Sequence, residues 1–366
     1  MILHLVTDEK FTDYAIKQFY SVGNDSEFIL IPSNGIMDCV TLIDKVKIIN
    51  NGSQEYYNLI NNLNRYKTII FHGMHWGNWQ TTILESVPKN IKVAWVFWGG
   101  DLYARSDFKY KKLGILTTLI SNARNVIKRN KQNNEWEIPR LLFKRIDYCL
   151  TDELEEYLFA KNELVNEMQF HWYNYYSLEE TLGDLISKKS IGRDIVIGNS
   201  ATIECNYFDI LLKVKTLNFK NRNIILPLSY GKPWIRNLVS KLGKIFFKDC
   251  ISLCSFLKRN EYNSILLNCN IMIMAHYYPQ AQGNIITGLW LGMKVYLSNK
   301  NMTYHYFKRI GCYVYSIEND LKRSNKELYE PETEEKIRHN RQILSYWYSK
   351  ENMKKRNSEL VNLLSM

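Results

Sequence analysis

Short, unbroken apolar runs alternate with longer amphipathic stretches along most of this chain, and no other feature constrains its fold as strongly. Strands buried on both faces lose the in-and-out alternation of a half-exposed sheet and read as continuous apolar runs, while the stretches between them supply crossover helices. The first half predicts strands at Ile2 to Val6, Phe28 to Ile31, Thr68 to Phe71, Lys92 to Phe97, Tyr148 to Leu150 and, less apolar, Met168 to Trp172. The second half restarts the pattern at Asp194 to Ile197, Asn223 to Leu226, Lys244 to Phe247, Ile271 to Met274 and Lys294 to Leu297. An α/β chain of 366 residues exceeds the size at which one core usually stops growing, so two parallel-sheet domains are expected. A polar join between Leu178 and Arg193 divides them into residues 1–185 and 186–330, followed by a charged tail, 331–366, that is largely helical from Glu332.

Charge and cysteines narrow the setting. The formal net charge of +11 calls for an anionic partner: nucleic acid, a membrane surface or a phosphorylated substrate. The seven cysteines are scattered and lack any Cys-x-x-Cys pair, which fits buried thiols in a reducing cytoplasm. Residues Met1 to Asp8 read as a strand rather than a secretion signal, and no apolar run has the length of a membrane span, so any membrane contact is expected from one side.

Several predicted strands end on glycine, small or polar residues, where open α/β sheets bind ligands. The run Val93 to Trp98 stops at Gly99, Gly100 and Asp101, followed by Leu102 and Tyr103. Asp101 is either an acid on a ligand rim or the cap of the next helix. Phe71-His72-Gly73-Met74-His75-Trp76 combines a flexible backbone with aromatic faces and imidazoles, as a sugar or nucleotide pocket would. His72 and His75 have a spacing that suits a metal, but no carboxylate or cysteine cluster accompanies them, and no metal or other cofactor is expected.

In the second half, Gly198-Asn199-Ser200 follows a strand and can offer backbone N–H groups to phosphate. Pro227 to Gly231 places Tyr230 where it could stack on a base. The strand Ile271 to Met274 runs into Ala275-His276-Tyr277-Tyr278-Pro279-Gln280-Ala281-Gln282-Gly283-Asn284, and a helix starting near Gly283 would aim unpaired N–H groups at a diphosphate. No Gly-x-Gly-x-x-Gly follows a strand, and there is no Walker lysine motif and no Asp-x-Asp; NAD enzymes, P-loop ATPases and sugar transferases that chelate metal through that motif are disfavoured.

Between Phe108 and Arg145 lie ten Lys or Arg residues against Glu135 and Glu137. Interleaved with leucine, isoleucine, tryptophan and phenylalanine, Lys109, Lys111, Lys112, Arg124, Lys128 and Arg129 suit the surface of an anionic bilayer, where each cation is worth about 1 kcal/mol. The plainer reading is a solvated helix face beside a core stripe.

In order along the chain, Phe71-His72-Gly73, Trp98-Gly99-Gly100-Asp101-Leu102-Tyr103, Gly198-Asn199-Ser200 and Gln282-Gly283-Asn284 resemble the TDP-N-acetylfucosamine:lipid II N-acetylfucosaminyltransferases, glycosyltransferase family 56. The resemblance covers roughly residues 1 to 315, with Pro227 to Tyr230 fitting the family's proline and tyrosine turn. It implies a GT-B fold, two Rossmann-like domains with parallel sheets facing across a cleft. It also implies a metal-independent enzyme of the cytoplasmic face of the inner membrane. Such an enzyme moves a deoxy-amino sugar, of the 4-acetamido-4,6-dideoxygalactose kind, from a dTDP- or UDP-sugar to a polyprenyl-diphosphate-linked saccharide in surface polysaccharide synthesis, as in enterobacterial common antigen.

On this reading Gly198, Asn199, Ser200, Tyr230, His276, Gln280, Gln282, Gly283 and Asn284 hold the donor, and Gly73, Trp98, Gly99, Gly100 and Tyr103 line the acceptor side. Asp101 is the first choice for the base that deprotonates the acceptor, followed by His72 and His75. The chain departs from the family where an arginine and paired glutamines precede the Gly-Asn step; Tyr277 to Gln282 stand there instead, which leaves the donor open, and His276, Arg236 or Lys232 could supply the charge from nearby. Two rival readings are a basic single-strand nucleic-acid binder, which 13% aromatic content would serve, and an inactive GT-B-like subunit that binds lipid-linked glycans.

Overall fold

A computed structural model describes residues 1–23, 25–32, 37–74, 77–108, 110–128, 137–217, 219 and 221–365, the side chains of 125–128 excepted. The first of two compact units holds a seven-stranded sheet of β1 (Ile2–Val6), β2 (Ser26–Leu30), β3 (Val46–Ile48), β4 (Thr68–His72), β5 (Lys92–Val96), β6 (Tyr148–Leu150) and β7 (Gln169–His171), in the order β3-β2-β1-β4-β5-β6-β7. Every pairing is parallel. The second unit holds β8 (Asp194–Ile197), β9 (Ile224–Pro227), β10 (Cys250–Leu253), β11 (Cys269–Met274), β12 (Lys294–Leu297) and β13 (Tyr315–Ser316), ordered β10-β9-β8-β11-β12-β13 and again all parallel. The central strands β1, β4 and β11 are buried along their whole length and β8 along all but Asp194, which explains their apolar runs.

Strand order fixes where each sheet can open. In the first sheet the chain builds outward from β1 in one direction and from β4 in the other; in the second the reversal falls between β8 and β11. Successive crossovers leave these points on opposite faces, so a crevice forms beyond the carboxyl ends of the two central strands.

The chain divides less simply than one join near residue 185 implies. The first unit is Met1–Lys109, Gln132–Ser177 and Tyr348–Met366; the second is Tyr110–Lys131 and Leu178–Trp347. Helix Ile115–Lys128 belongs to the second because Leu116 and Ile120 pack against that unit's core. The tail forms no separate body: Leu360 and Leu364 of helix Lys350–Ser365 are fully buried in the first core, beside Ile2, Phe19 and Ile70.

One expected strand is corrected. Lys244 to Phe246 belong to helix Pro233–Phe246, with Phe247 as its C-cap; the buried Ile235, Val239 and Gly243 of this helix recur at helical spacing, and the strand is instead Cys250–Leu253. That edge strand is half-exposed, so no apolar run marks it. Short β3 and β13 escaped sequence detection for the same reason, being outer strands of only 3 and 2 residues.

Candidate functional site

In the first unit a single file of buried polar groups runs between the central strands and the glycine turn after β5. Trp98 Nε1 lies 2.9 Å from Tyr175 Oη, Tyr175 Oη 2.8 Å from His72 Nδ1, His72 Nε2 3.1 Å from His4 Nδ1, and His4 Nε2 3.2 Å from Ser26 Oγ. An indole N–H can only donate, so Tyr175 accepts from Trp98. Both imidazoles are neutral: burial lowers His72 to about 3, and burial and the neighbouring His72 lower His4 well below its usual value. His72 thus has both nitrogens committed to aligning Trp98 through Tyr175.

Asp101 stands in the short helix Gly100–Tyr103 and is almost fully buried. Its Oδ2 accepts from Trp95 Nε1 at 2.7 Å and from the Trp98 backbone N–H at 3.2 Å, so the carboxylate ties β5 to the turn that ends it. Gly99 adopts φ +72°, a conformation that glycine tolerates best, and it lies over the Tyr103 ring and the Glu156 carboxyl. Glu156 is buried, and burial, together with the negative charges of Asp152 and Asp101, raises its pKa well above the usual carboxylate range. Gly73, at φ +80°, closes β4 with its N–H on Val96 O and its carbonyl on Gln80 Nε2. His75 lies outside the described residues.

The second unit concentrates its polar groups at the ends of β8 and β11. Gly198 N–H donates to Ile273 O, joining the two strands, and at φ +70° a Cβ there would fall 2.3 Å from Tyr207 Oη. Asn199 Oδ1 lies 3.1 Å from His276 Nε2, and the Cys205 sulfur lies 3.4 Å from each of them. Ser200 Oγ bonds Thr202 Oγ1 at 3.2 Å. Asn206 Nδ2 donates to Ala275 O at 2.8 Å and Asn301 Nδ2 to the carbonyls of His276 and Tyr278, so both loops are fixed from beneath. His276 is fully buried and its Nδ1 has no partner among the described residues.

Beyond this loop, helix Gln282–Leu291 begins one residue before the expected start, after Ala281 in the left-handed conformation at φ +59°. No side chain caps it, and Gly283 leaves the approach open, with Thr181 Cγ2 the nearest atom to its absent Cβ at 3.8 Å. Gln280 hydrogen-bonds Tyr278. Tyr230 is 77% exposed after β9, where its carbonyl accepts from Ala201 N–H and anchors the β9 loop on the β8 loop.

Cys205 was not marked by any sequence motif. Burial alone would raise its thiol, but the charge and hydrogen bond of His276, with hydrogen bonds from Thr202 and Asn199, outweigh it and lower the group to about 6. A thiolate absorbance titration of the protein is expected to show a midpoint near that value, absent in Cys205→Ala. In His276→Ala burial dominates, and the midpoint moves above that of an ordinary thiol. An unchanged midpoint in His276→Ala would break this assignment.

The basic stretch after Asp101 is divided rather than continuous. Arg140 and Arg145 belong to the first unit and pair with Asp107 and Asp147. Helix Ile115–Lys128 lies in the second; Asp209 caps it through the N–H groups of Leu116 and Thr117, and Ile115 and Leu119 stand 73% and 61% exposed. Lys111 is exposed, Lys112 is half-buried, and the Arg124 guanidinium covers the Trp234 ring at 4.3 Å. Lys109, Arg129 and the side chain of Lys128 fall outside the described residues. Among the described residues no helix is long and apolar enough to cross a membrane, and no three His, Cys, Asp or Glu side chains gather as a metal site.

No protein-family model and no curated protein matches the sequence. Solved structures do match the fold over its whole length. Anabaena HepE in complex with UDP has a TM-score of 0.65 at 8% identity, covering 100% of both chains. The lipopolysaccharide outer core galactosyltransferase WaaB scores 0.63 at 9% identity, covering 99% of this chain and 100% of that one. A glycosyltransferase from Rickettsia africae scores 0.63 at 12% identity, covering 99% of this chain and 98% of that one. At these identities the likeness shows the fold alone, the two-sheet GT-B architecture.

Proposed function

We propose that this chain is a glycosyltransferase that takes its sugar from a nucleotide diphosphate donor. The observation that carries the reading is the group of Asn199, Ser200 and His276 at the reversal point of the second sheet, beside the uncapped start of helix Gln282–Leu291. Backbone N–H groups at a helix start and at a small-residue loop suit a diphosphate, and Tyr230 is exposed enough to stack on a base. The fold is one in which HepE was crystallised with UDP and with UDP-glucose.

The finer proposal follows the family resemblance: a deoxy-amino sugar moves from a dTDP- or UDP-sugar to a polyprenyl-diphosphate-linked saccharide. The protein would work peripherally on the cytoplasmic face of the inner membrane, with exposed Ile115 and Leu119 and nearby Lys111 suited to an anionic bilayer. Gly73 and the Trp98 to Tyr103 turn form the acceptor side. Asp101 is the proposed base for the acceptor hydroxyl, and His72 is a positioning residue acting through Tyr175 and Trp98. Leaving-group charge is met by helix N–H groups and side-chain cations, without a metal.

The test is nucleotide release from a panel of dTDP- and UDP-sugars, with membrane lipid extract as acceptor. Release that depends on the extract supports transfer to a lipid-linked saccharide. No release from any donor, alongside tight and salt-sensitive oligonucleotide binding, would replace this reading with the nucleic-acid one.

A further inference from the structure

Arg236, a natural choice by sequence for the diphosphate charge, is spent on its own loop, where Nε and Nη2 donate to the carbonyls of Leu228 and Ser229 at 2.9 Å each. The segment Tyr110 to Gly114 offers another source. Tyr110 Oη donates to Tyr277 O at 2.8 Å and Lys300 O at 2.9 Å, fixing one end of the segment on the loop after β11. Gly114 N–H donates to Asn206 Oδ1 at 2.7 Å, fixing the other end beside Cys205 on the loop after β8. The segment therefore bridges the two loops that flank the reversal point.

Lys112 is the middle residue of this bridge. Lys111 beside it points to solvent, whereas Lys112 is half-buried. Burial lowers the Lys112 ammonium and the nearby Glu204 carboxylate raises it; Glu204 also acts on Tyr278. Lys112 thus sits between two anchored residues of the bridge, Tyr110 on the loop after β11 and Gly114 on the loop after β8. We propose that Lys112 is the cation that meets the donor diphosphate, delivered by a segment pinned to both strand-end loops, in place of the arginine missing from Tyr277 to Gln282. This deepens the nucleotide-sugar reading above and rests on it.

Calorimetric titration of the full chain with UDP and with uridine separates the two claims. Wild type is expected to bind UDP more tightly than uridine. Lys112→Gln is expected to weaken UDP by about tenfold to a hundredfold, the range of a lost charge-assisted hydrogen bond, while uridine affinity stays within about twofold. Lys112→Arg, which keeps the charge, is expected to retain most of the UDP affinity. Equal losses for UDP and uridine in Lys112→Gln, or unchanged UDP binding, would overturn the role of Lys112 and leave the nucleotide-sugar reading standing. A wild-type protein that binds neither UDP nor dTDP would overturn both.

Discussion

Asp101→Ala is expected to lower the stability of the first unit by about 3 kcal/mol or more and to end sugar transfer. The carboxylate is buried and takes the Trp95 indole and the Trp98 backbone N–H on one oxygen, so its removal strands two buried donors, each at about 1–3 kcal/mol. It also opens a void beside Gly99, whose left-handed backbone depends on the turn being held. Asp101→Asn separates structure from chemistry, because its amide oxygen can still accept from Trp95 and Trp98. That variant is expected to fold, with urea denaturation showing a loss of about 1–2 kcal/mol and UDP binding unchanged. Turnover is expected to fall by about two to four orders of magnitude if the ionised carboxylate removes the acceptor proton. Near-normal turnover would confine Asp101 to holding the turn.

The second large effect is acid sensitivity. His4 and His72 have folded pKa values below their unfolded value of about 6.5, because the fold buries them neutral. Below that pH the unfolded chain binds protons that the folded chain refuses. Their contribution is fully present above about 6.5 and is lost as pH falls toward the folded values, near 3 for His72. At about 1.4 kcal/mol per pH unit, His72 alone is expected to remove about 2 kcal/mol by about pH 5, and His4 acts in the same direction. Urea unfolding across this range gives the slope. Imidazole resonances identify its source: that of His72 is expected not to titrate in the native protein down to about pH 4 and that of His4 to titrate well below its usual value, and a midpoint near 6.5 for either would contradict the buried relay.

Central strands and the glycine turns beyond them were legible because burial on both faces writes a continuous apolar run and the turns demand particular residues. Ile2–Val6, Tyr148–Leu150, Asp194–Ile197 and Lys294–Leu297 have the expected bounds for that reason. Outer strands such as β10 carry no such run. Long-range partnerships were invisible: nothing local says that Tyr175 links His72 to Trp98, that Cys205 lies against His276, or that Asn206 receives Gly114. Residues 110–131 looked like an appendage of the Asp101 turn because they follow it directly, yet Leu116 and Ile120 find their apolar partners in the other core. Charge runs report composition, and only packing decides which unit they serve.

The claim on which the rest depends is that the second sheet binds a nucleoside diphosphate at the ends of β8 and β11. Amide hydrogen exchange of the full chain with and without saturating UDP or dTDP tests it directly. Slowed exchange is predicted for Gly198 to Asn206 and for His276 to Ile285, where the loops and the helix start would close on the diphosphate. No change at either segment with both nucleotides, or slowing confined to the first unit, would contradict the account.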